Sequence, residues 1–309
     1  MSSKTFMYIL KRVALAIVTV WVVITVTFFV MRAVPGGPFM SEKAISEAAQ
    51  AALEAKYGMD KPLSEQYFTY LKDVVTRADF GPSLKQRGRD VMDIITDGMK
   101  TSLVLGLEAA FLALGTGIVL GSFAALRRNK LDDKCIMVVT TAFVSMPSFI
   151  MGSLLLILFS ITWHILPANG AEEGGMILPV ITLALYPMAY ITRLTRSSML
   201  DVLGQDYIRT AKAKGVSGGK IIFGHALKNS LIPVITYFGP MLAYIVTGSL
   251  VVEKIFAVPG IGRAFVNSIT NRDYPLIMGT TIVLATLIVF MNLISDLMYK
   301  IVDPRITLE

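Results

Sequence analysis

Long apolar runs separated by short charged intervals set the pattern of this chain. Residues 13–31 contain no charged side chain, 101–126 contain only Glu108, and 135–171 are free of Asp, Glu, Lys and Arg. Runs at 174–192, 229–252 and 276–295 complete the set. About 20 apolar residues in a helix, rising about 1.5 Å each, span the hydrocarbon core of a bilayer. The pattern therefore predicts six transmembrane helices, the third run being longer than one crossing needs. The fold class it implies is an all-α integral membrane protein.

The intervals are punctuated by turn residues. PGGP (35–38) stops the first helix. Helical periodicity returns in EKAISEAAQAALEAKYG, with Tyr57-Gly58 as its C-cap, and again in SEQYFTYLKDVV (64–75). Gly81-Pro82 breaks the chain before DVMDIITDGMK leads into the second span. Segment 32–100 has few large apolar side chains, which suits a small helical cap better than an independent core. Gly117-x-x-x-Gly121 fits close helix packing. Pro147, Pro179, Pro187, Pro233 and Pro240 predict kinks or helix starts, which neighbouring helices in a bundle can accommodate.

Composition agrees with the pattern: 54% of residues are hydrophobic and 17% charged, with a net charge of +7. Six spans put both termini on one side, and basic residues choose the side. Intervals 1–12, 127–134, 193–228 and the tail from Lys300 carry 3, 4, 7 and 2 Lys/Arg. The opposite short loops hold only Lys254, Arg263 and Arg272, while segment 32–100 balances ten basic residues with ten acids. The positive-inside rule gives N-in, C-in. It also explains the net charge, so no nucleic-acid partner is called for. The basic start followed by an apolar run has the form of a signal peptide, but the run is too long and no small-x-small site follows it. An uncleaved anchor is expected. The lone Cys135 has no partner for an internal disulfide.

Catalytic and metal chemistry find little support. His164 and His225 fall on opposite sides of the membrane, and no metal-ligand spacing or nucleophile–base set is visible. GVSGGKI (215–221) departs from a phosphate-binding loop, with Lys214 where the first glycine belongs and Ile221 where Ser/Thr belongs. Energy for transport would come from a partner or an ion gradient. Glu108, about 10 Å below Thr101, either faces a polar substrate path or bonds to a neighbouring helix. Asp296 pairs locally with Lys300. A secondary carrier usually places several ionisable groups at mid-membrane and repeats its halves, and neither feature appears.

The interval 193–228 is the one long inner loop. It reads as two short helices separated by Gly215 and by Gly218-Gly219. In DYIRTAKAKG (206–215), Leu203, Tyr207, Ala211 and Lys214 fall along one side, and Ala211 and Ala213 permit close backbone approach. Arg209, Lys212 and Lys214 face solvent or an acidic neighbour, and Gly215 ends the helix. The stretch is either a solvated loop or a docking helix.

The order RTAKAKG followed by HALKNSLIPVIT resembles the cytoplasmic loop of ABC importer permeases of the dipeptide and oligopeptide branch. The general family begins this loop with Glu-Ala-Ala and a glycine after three more residues. Here Arg209, Thr210 and Ala211 precede Gly215, with a base in place of the acid. FVMRAVPGGPF, YGMDKPLSEQYFTYL, DFGPSL, VVEKIFAVPGIGRAFVNSITNRDYPLI and YKIVDPRI extend the likeness along nearly the whole chain.

The resemblance implies a type I ABC importer permease fold with a small periplasmic helical insertion. It divides the chain into an N-terminal helix (1–31), a periplasmic segment (32–100) and a transmembrane domain (101–309) with coupling loop 193–228. It implies a non-catalytic subunit of the bacterial inner membrane that lines half of a peptide path. The coupling helix would comprise Asp206, Tyr207, Arg209, Thr210, Ala211, Lys212, Lys214 and Gly215. Pro259, Gly260, Gly262 and Arg263 would receive a periplasmic peptide-binding protein. The implied partners are a second, homologous permease and two ATPase subunits that hold ATP and Mg, with no cofactor or metal on this chain. The same family importing a nickel chelate, glutathione or another small solute is the nearer alternative, and an ion-coupled carrier the more distant one.

Overall fold

The computed structural model describes residues 3–34, 37, 54–55 and 58–302, and their side chains except those of 3–6, 8–9 and 295–302. Among the described residues every regular element is helical, beside an isolated antiparallel bridge between Pro82 and Asp90. The PGGP turn apart from Gly37, most of the helical stretch 42–57, and the Asp296–Lys300 pairing lie outside the described residues and side chains.

Eleven helices carry the argument: α1 (Ser3–Ala33), α2 (Leu63–Arg77), α3 (Val91–Leu126), α4 (Leu131–Ser145), α5 (Ser148–Leu155), α6 (Ile177–Leu203), α7 (Asp206–Ala213), α8 (Ile232–Val246), α9 (Leu250–Ile255), α10 (Ile261–Asn271) and α11 (Tyr274–Val302). Five stretches are long and apolar enough to cross a membrane: Leu10–Ala33, Val91–Leu126, Ile177–Leu203, Ile232–Ile255 and Tyr274–Ile294. The bent pair of α4 with α5 and the π-helical turn Leu156–Thr162, which continues α5, passes the same test of length and apolarity only when taken together, as one broken span. The two halves of this broken span meet at 108°. The cause is local. Pro147 has no N–H to continue the ladder, and it drives Met146 into extended backbone at φ −89, ψ 130.

Helix boundaries run past the apolar runs, and α3 and α6 show why. Helix α3 begins at Val91, ten residues before the run at 101, because Val91, Ile94 and Ile95 form a buried stripe at helical spacing. Helix α6 continues beyond 192 to Leu203, with Thr195 and Met199 still buried, so the first part of the predicted loop 193–228 is helix.

The chain forms two compact units, residues 1–101 with 259–290 and residues 102–258 with 291–309. In the first, Ile24, Phe80, Val91, Ile95, Ile261 and Leu276 pack into one core. A Cβ on Gly98 would stand 2.9 Å from the Ile261 nitrogen, so glycine is what allows α10 to lie against α3. Two distant motifs join here. Ser83 of DFGPSL donates its hydroxyl to the buried carboxylate of Asp273, from NRDYPLI, and the Leu84 N–H donates to the other carboxylate oxygen at 3.1 Å. The C-cap expected at Gly58 is formed: Gly58 has φ +63, its N–H bonds Ala55 O at 3.2 Å, and Met59 N–H bonds Glu54 O at 2.8 Å. These two bonds make a Schellman motif.

In the second unit, Ala109, Ala110 and Ala113 of α3 meet Ala184 and Ile191 of α6 and Val234, Met241 and Ile245 of α8. The expected glycine packing is present, since a Cβ on Gly121 would lie 2.5 Å from Thr192 O and one on Gly117 2.7 Å from Ile191 Cγ2. Another core gathers Leu105, Leu178, Val252, Phe256 and Val258.

Candidate functional site

Helix α7 is short, and its two faces differ sharply. Ile208 is fully buried and packs with Ala125, Met199, Ile221 and Ala226, while Ala211 and Val216 lie against the same cluster. Asp206, Tyr207, Arg209, Thr210, Lys212, Ala213 and Lys214 are exposed. Ala211 therefore faces inward, and Ala213 is the small residue on the free side. Arg209 meets Asp206 at 3.3 Å with both side chains in solvent, a pairing of little energetic weight.

The end of α7 is built as its sequence suggests. Gly215 adopts φ +79, its N–H bonds Lys212 O at 3.0 Å, and Val216 N–H bonds Ala211 O at 3.1 Å. These are the two bonds of a Schellman cap, and the partly buried Val216 and Ala211 supply the apolar contact that accompanies it. No atom lies within 4 Å of the position a Gly215 Cβ would take, so glycine is required here for its conformation alone.

Two connections tie α7 to the bundle. Gly204 and Gln205 join it directly to α6. The Asn229 side-chain amide donates to the Tyr207 hydroxyl at 2.9 Å, beside the start of α8. Between them, 218–230 is helical with a π-helical turn at Ile221–Leu227, where Phe223 is 72% exposed. Sequence reading alone did not single out this exposed ring outside the spans.

A second exposed face lies within the spans of the same unit. Glu108 is exposed on α3, on the side away from the buried Gly106, Ala110 and Ala113. One turn further, Phe111 meets Phe238 of α8 with ring centroids 6.3 Å apart. Beside Phe238, Tyr237 packs against Tyr190 of α6 at 4.3 Å, and Tyr186 stands one turn earlier on α6. Tyr186 and Tyr190 are 49% and 40% exposed although they sit in the middle of a spanning helix. Phenol hydroxyls in hydrocarbon would lack partners, so this face suits a polar surface or an aqueous path better than lipid tails. The i, i+4 spacing of Tyr186 and Tyr190 was the sequence signal for it.

Of the residues expected to receive a binding protein, Pro259 is exposed, Arg263 is half-buried, and Gly260 and Gly262 are buried at the start of α10. The acid that the sequence did not mark is Glu253. It is fully buried at α9 and accepts a hydrogen bond from the Ser102 hydroxyl at 2.7 Å.

Residues 117–308 match the family described as binding-protein-dependent transport system inner membrane component, and residues 5–105 match its N-terminal membrane-component family. A dipeptide transport system permease protein, DppB, of Bacillus subtilis is 48% identical over 98% of this chain and 98% of its own length. Oligopeptide transport system permease proteins, OppB, of Haemophilus influenzae and Escherichia coli are 43% and 42% identical, each over 97% of this chain and 98% of theirs. Among solved structures, the inward-facing MetNI methionine ABC transporter superposes with a TM-score of 0.54 at 16% identity. That match covers 68% of this chain and 97% of the other, a likeness of fold.

Proposed function

The chain belongs to the family of binding-protein-dependent transport system inner membrane components, and on that premise we propose that it lines half of the path by which di- or oligopeptides cross a bacterial inner membrane. It is a membrane-embedded permease subunit with the type I ABC importer permease fold, and ATP hydrolysis belongs to a separate subunit. Its family works with ATPase and substrate-binding components. The finer assembly we propose is a second, homologous permease, two ATPase subunits with ATP and Mg, and a periplasmic peptide-binding protein.

The observation that carries this reading is the construction of α7. One face is anchored by Ile208 and the other is bare. Its N-terminal turn is tied twice, directly to α6 through Gly204-Gln205 and through the Tyr207–Asn229 bond to the segment that leads into α8, the two helices that carry tyrosines of the exposed face. An ATPase gripping the bare face would move α7 as a rigid piece. Gly204-Gln205 would pass that movement to α6, and the Asn229–Tyr207 bond would pass it towards α8. Tyr190 and Tyr237, in contact across those two helices, would then be displaced with them. Glu108 and the tyrosines would offer a carboxylate and aromatic faces to the ammonium end of a peptide. Segment 32–100 with Pro259, Gly260, Gly262 and Arg263 would receive the binding protein, the buried glycines shaping the turn and the two larger residues supplying contact surface.

Co-purification of the full complex, followed by uptake of a labelled dipeptide, tests the reading. Uptake competed by unlabelled peptide and not by a nickel chelate or glutathione is the expected result. Competition by either of those solutes alone would reassign the cargo. Isolation of this chain without an ATPase, with uptake driven by a proton gradient, would overturn the assembly.

A further inference from the structure

Outside the α3, α6 and α8 face, the first unit contains a half-open cavity of about 270 Å³ whose wall includes Phe28, Arg32, Tyr70, Asp73, Tyr274 and Met278. Arg32 stands in the last turn of α1, and its position is set from two sides. Its guanidinium lies over the Phe28 ring, 3.5 Å from the centroid, and its Nε donates to Gln66 Oε1 at 2.9 Å. Gln66 is itself fixed, because its amide donates to Met59 O at 3.0 Å and Lys61 O at 2.8 Å. Only Nε of Arg32 is thereby used, and its terminal N–H groups have no acceptor among the described residues.

Two phenols share the wall with that guanidinium, those of Tyr70 and Tyr274, and the Tyr70 ring lies 6.2 Å from the Phe28 ring that the guanidinium covers. Both hydroxyls are buried with no hydrogen-bond partner among the described residues, and Tyr274 is only 6% exposed. A buried hydroxyl with nothing to bond is destabilising, and phenylalanine would fill the same space without that cost. Burial also raises the pKa of Tyr70 above the usual phenol range, so its proton stays in place as a donor. The other charged groups in the wall are Asp73 and Lys61, and Lys61 is already bonded to Glu65 at 2.7 Å.

We infer that this cavity is a binding site for a single oxyanion carried on an apolar body, a carboxylate or a phosphate ester. The terminal N–H groups of Arg32 supply the charge, Tyr274 and Tyr70 turn their hydroxyls onto the anion as it enters, and Phe28 and Met278 meet its apolar part. A phospholipid headgroup and the carboxyl terminus of a short apolar peptide share this chemistry. The peptide source rests on the transport reading above, and the lipid source does not.

The test uses the delipidated transporter complex. It is titrated calorimetrically with N-acetylphenylalanine, with the corresponding amide, and with dioleoylphosphatidylglycerol in detergent. Loss of the anion in the amide is expected to weaken binding at least about tenfold, and Arg32→Gln to do the same for whichever probe binds. Arg32→Lys, which keeps the charge without the planar fork, should recover part of the affinity. Tyr274→Phe should weaken binding about fivefold, the order expected for one lost hydrogen bond, while leaving the melting temperature without probe unchanged or raised. Binding of phosphatidylglycerol alone assigns the site to lipid, and binding of N-acetylphenylalanine alone assigns it to a soluble carboxylate. Binding of neither probe overturns the inference, as does equal affinity in wild type and Arg32→Gln. Dipeptide uptake by the same variants reads the transport function separately, so failure of one reading leaves the other measurable.

Discussion

Arg196 of α6 grips the carboxylate of Asp133 with two parallel bonds, Nε to Oδ1 at 2.5 Å and a terminal nitrogen to Oδ2 at 2.7 Å. Asp133 is 2% exposed, and its Oδ2 also accepts the Asn129 N–H at 2.9 Å, where Asn129 holds φ +64. One ion pair therefore fixes the turn between α3 and α4 and pins it to the extension of α6 from which α7 follows. Breaking a buried pair leaves a desolvated charge behind, which costs far more than removing both partners. Arg196→Leu should lower stability by about 2–4 kcal/mol, and the double variant with Asp133→Leu should recover a large part of that loss. Thermal unfolding of the purified complex measures both, and equal losses in single and double variants would contradict this account.

Gly215 isolates a conformational requirement from a steric one. With φ +79 and open space around the missing Cβ, Gly215→Ala should cost about 1–2 kcal/mol of local stability, the price of a left-handed L-residue. Gly215→Asn should cost less, because asparagine tolerates that region better than alanine. Hydrogen exchange of the α7 amides reads the fraying directly. If Ala and Asn behave alike, the cap is not what ends the helix.

The inward and outward faces of α7 should separate stability from coupling. Ile208→Ala removes a fully buried side chain and should destabilise by about 2–4 kcal/mol. Ala213→Trp and Phe223→Ser alter exposed positions and should leave the melting temperature within about 0.5 kcal/mol equivalent. Both should nevertheless weaken association with the ATPase, by about tenfold or more if either position is a hot spot. Co-purification yield and transport-linked ATP hydrolysis are the readouts. A bulky residue at Ala211, which packs inward, would report on folding instead.

Much of this arrangement was legible in the chain. Apolar runs marked the spans, glycines marked the ends at Gly58 and Gly215, and small residues at spacing four marked the α3–α6 contact. Direction and burial were not. The run 135–171 reads as one unusually long segment because hydropathy carries no information about heading, and only Pro147 signals the 108° bend. Asp273 and Glu253 sit at helix ends, where an acid ordinarily meets water. They are bonded to Ser83 and Ser102, 190 and 151 residues away in sequence. Ile208 looked unremarkable in a polar stretch because its partners, Ala125, Met199 and Ala226, come from three other segments. Inward-facing Ala211 could not be told from outward-facing Ala213 until Ile208 fixed the rotation of α7.

Ser102 and Glu253 give a test of the buried acid. Ser102→Ala removes the hydroxyl that donates to the buried Glu253 side chain and should cost about 0.5–1.5 kcal/mol, the range for one intramolecular hydrogen bond. Glu253→Gln keeps an acceptor for Ser102 in nearly the same volume and should be the milder of the two changes at that position when set against Glu253→Leu. Chemical denaturation in a fixed detergent compares them. An unperturbed Ser102→Ala variant would show that the bond contributes nothing to stability.

Two glycines of α3 should respond in opposite directions to the same substitution. At Gly121 an added Cβ would stand 2.5 Å from Thr192 O and 2.6 Å from Thr195 Cβ, and the first of these is backbone that cannot rotate away. Gly121→Ala must push α3 from α6, with an overpacking cost of about 1–3 kcal/mol and a looser helix contact. At Gly115 nothing lies within 4 Å, and the residue is in mid-helix and exposed. Gly115→Ala removes backbone freedom from the unfolded chain without a clash, and should stabilise by about 0.5–1 kcal/mol. Melting temperatures of the two variants in the same detergent decide the matter. Stabilisation by both would mean that helix propensity outweighs the contact at Gly121, and destabilisation by both would mean that Gly115 packs against a partner subunit.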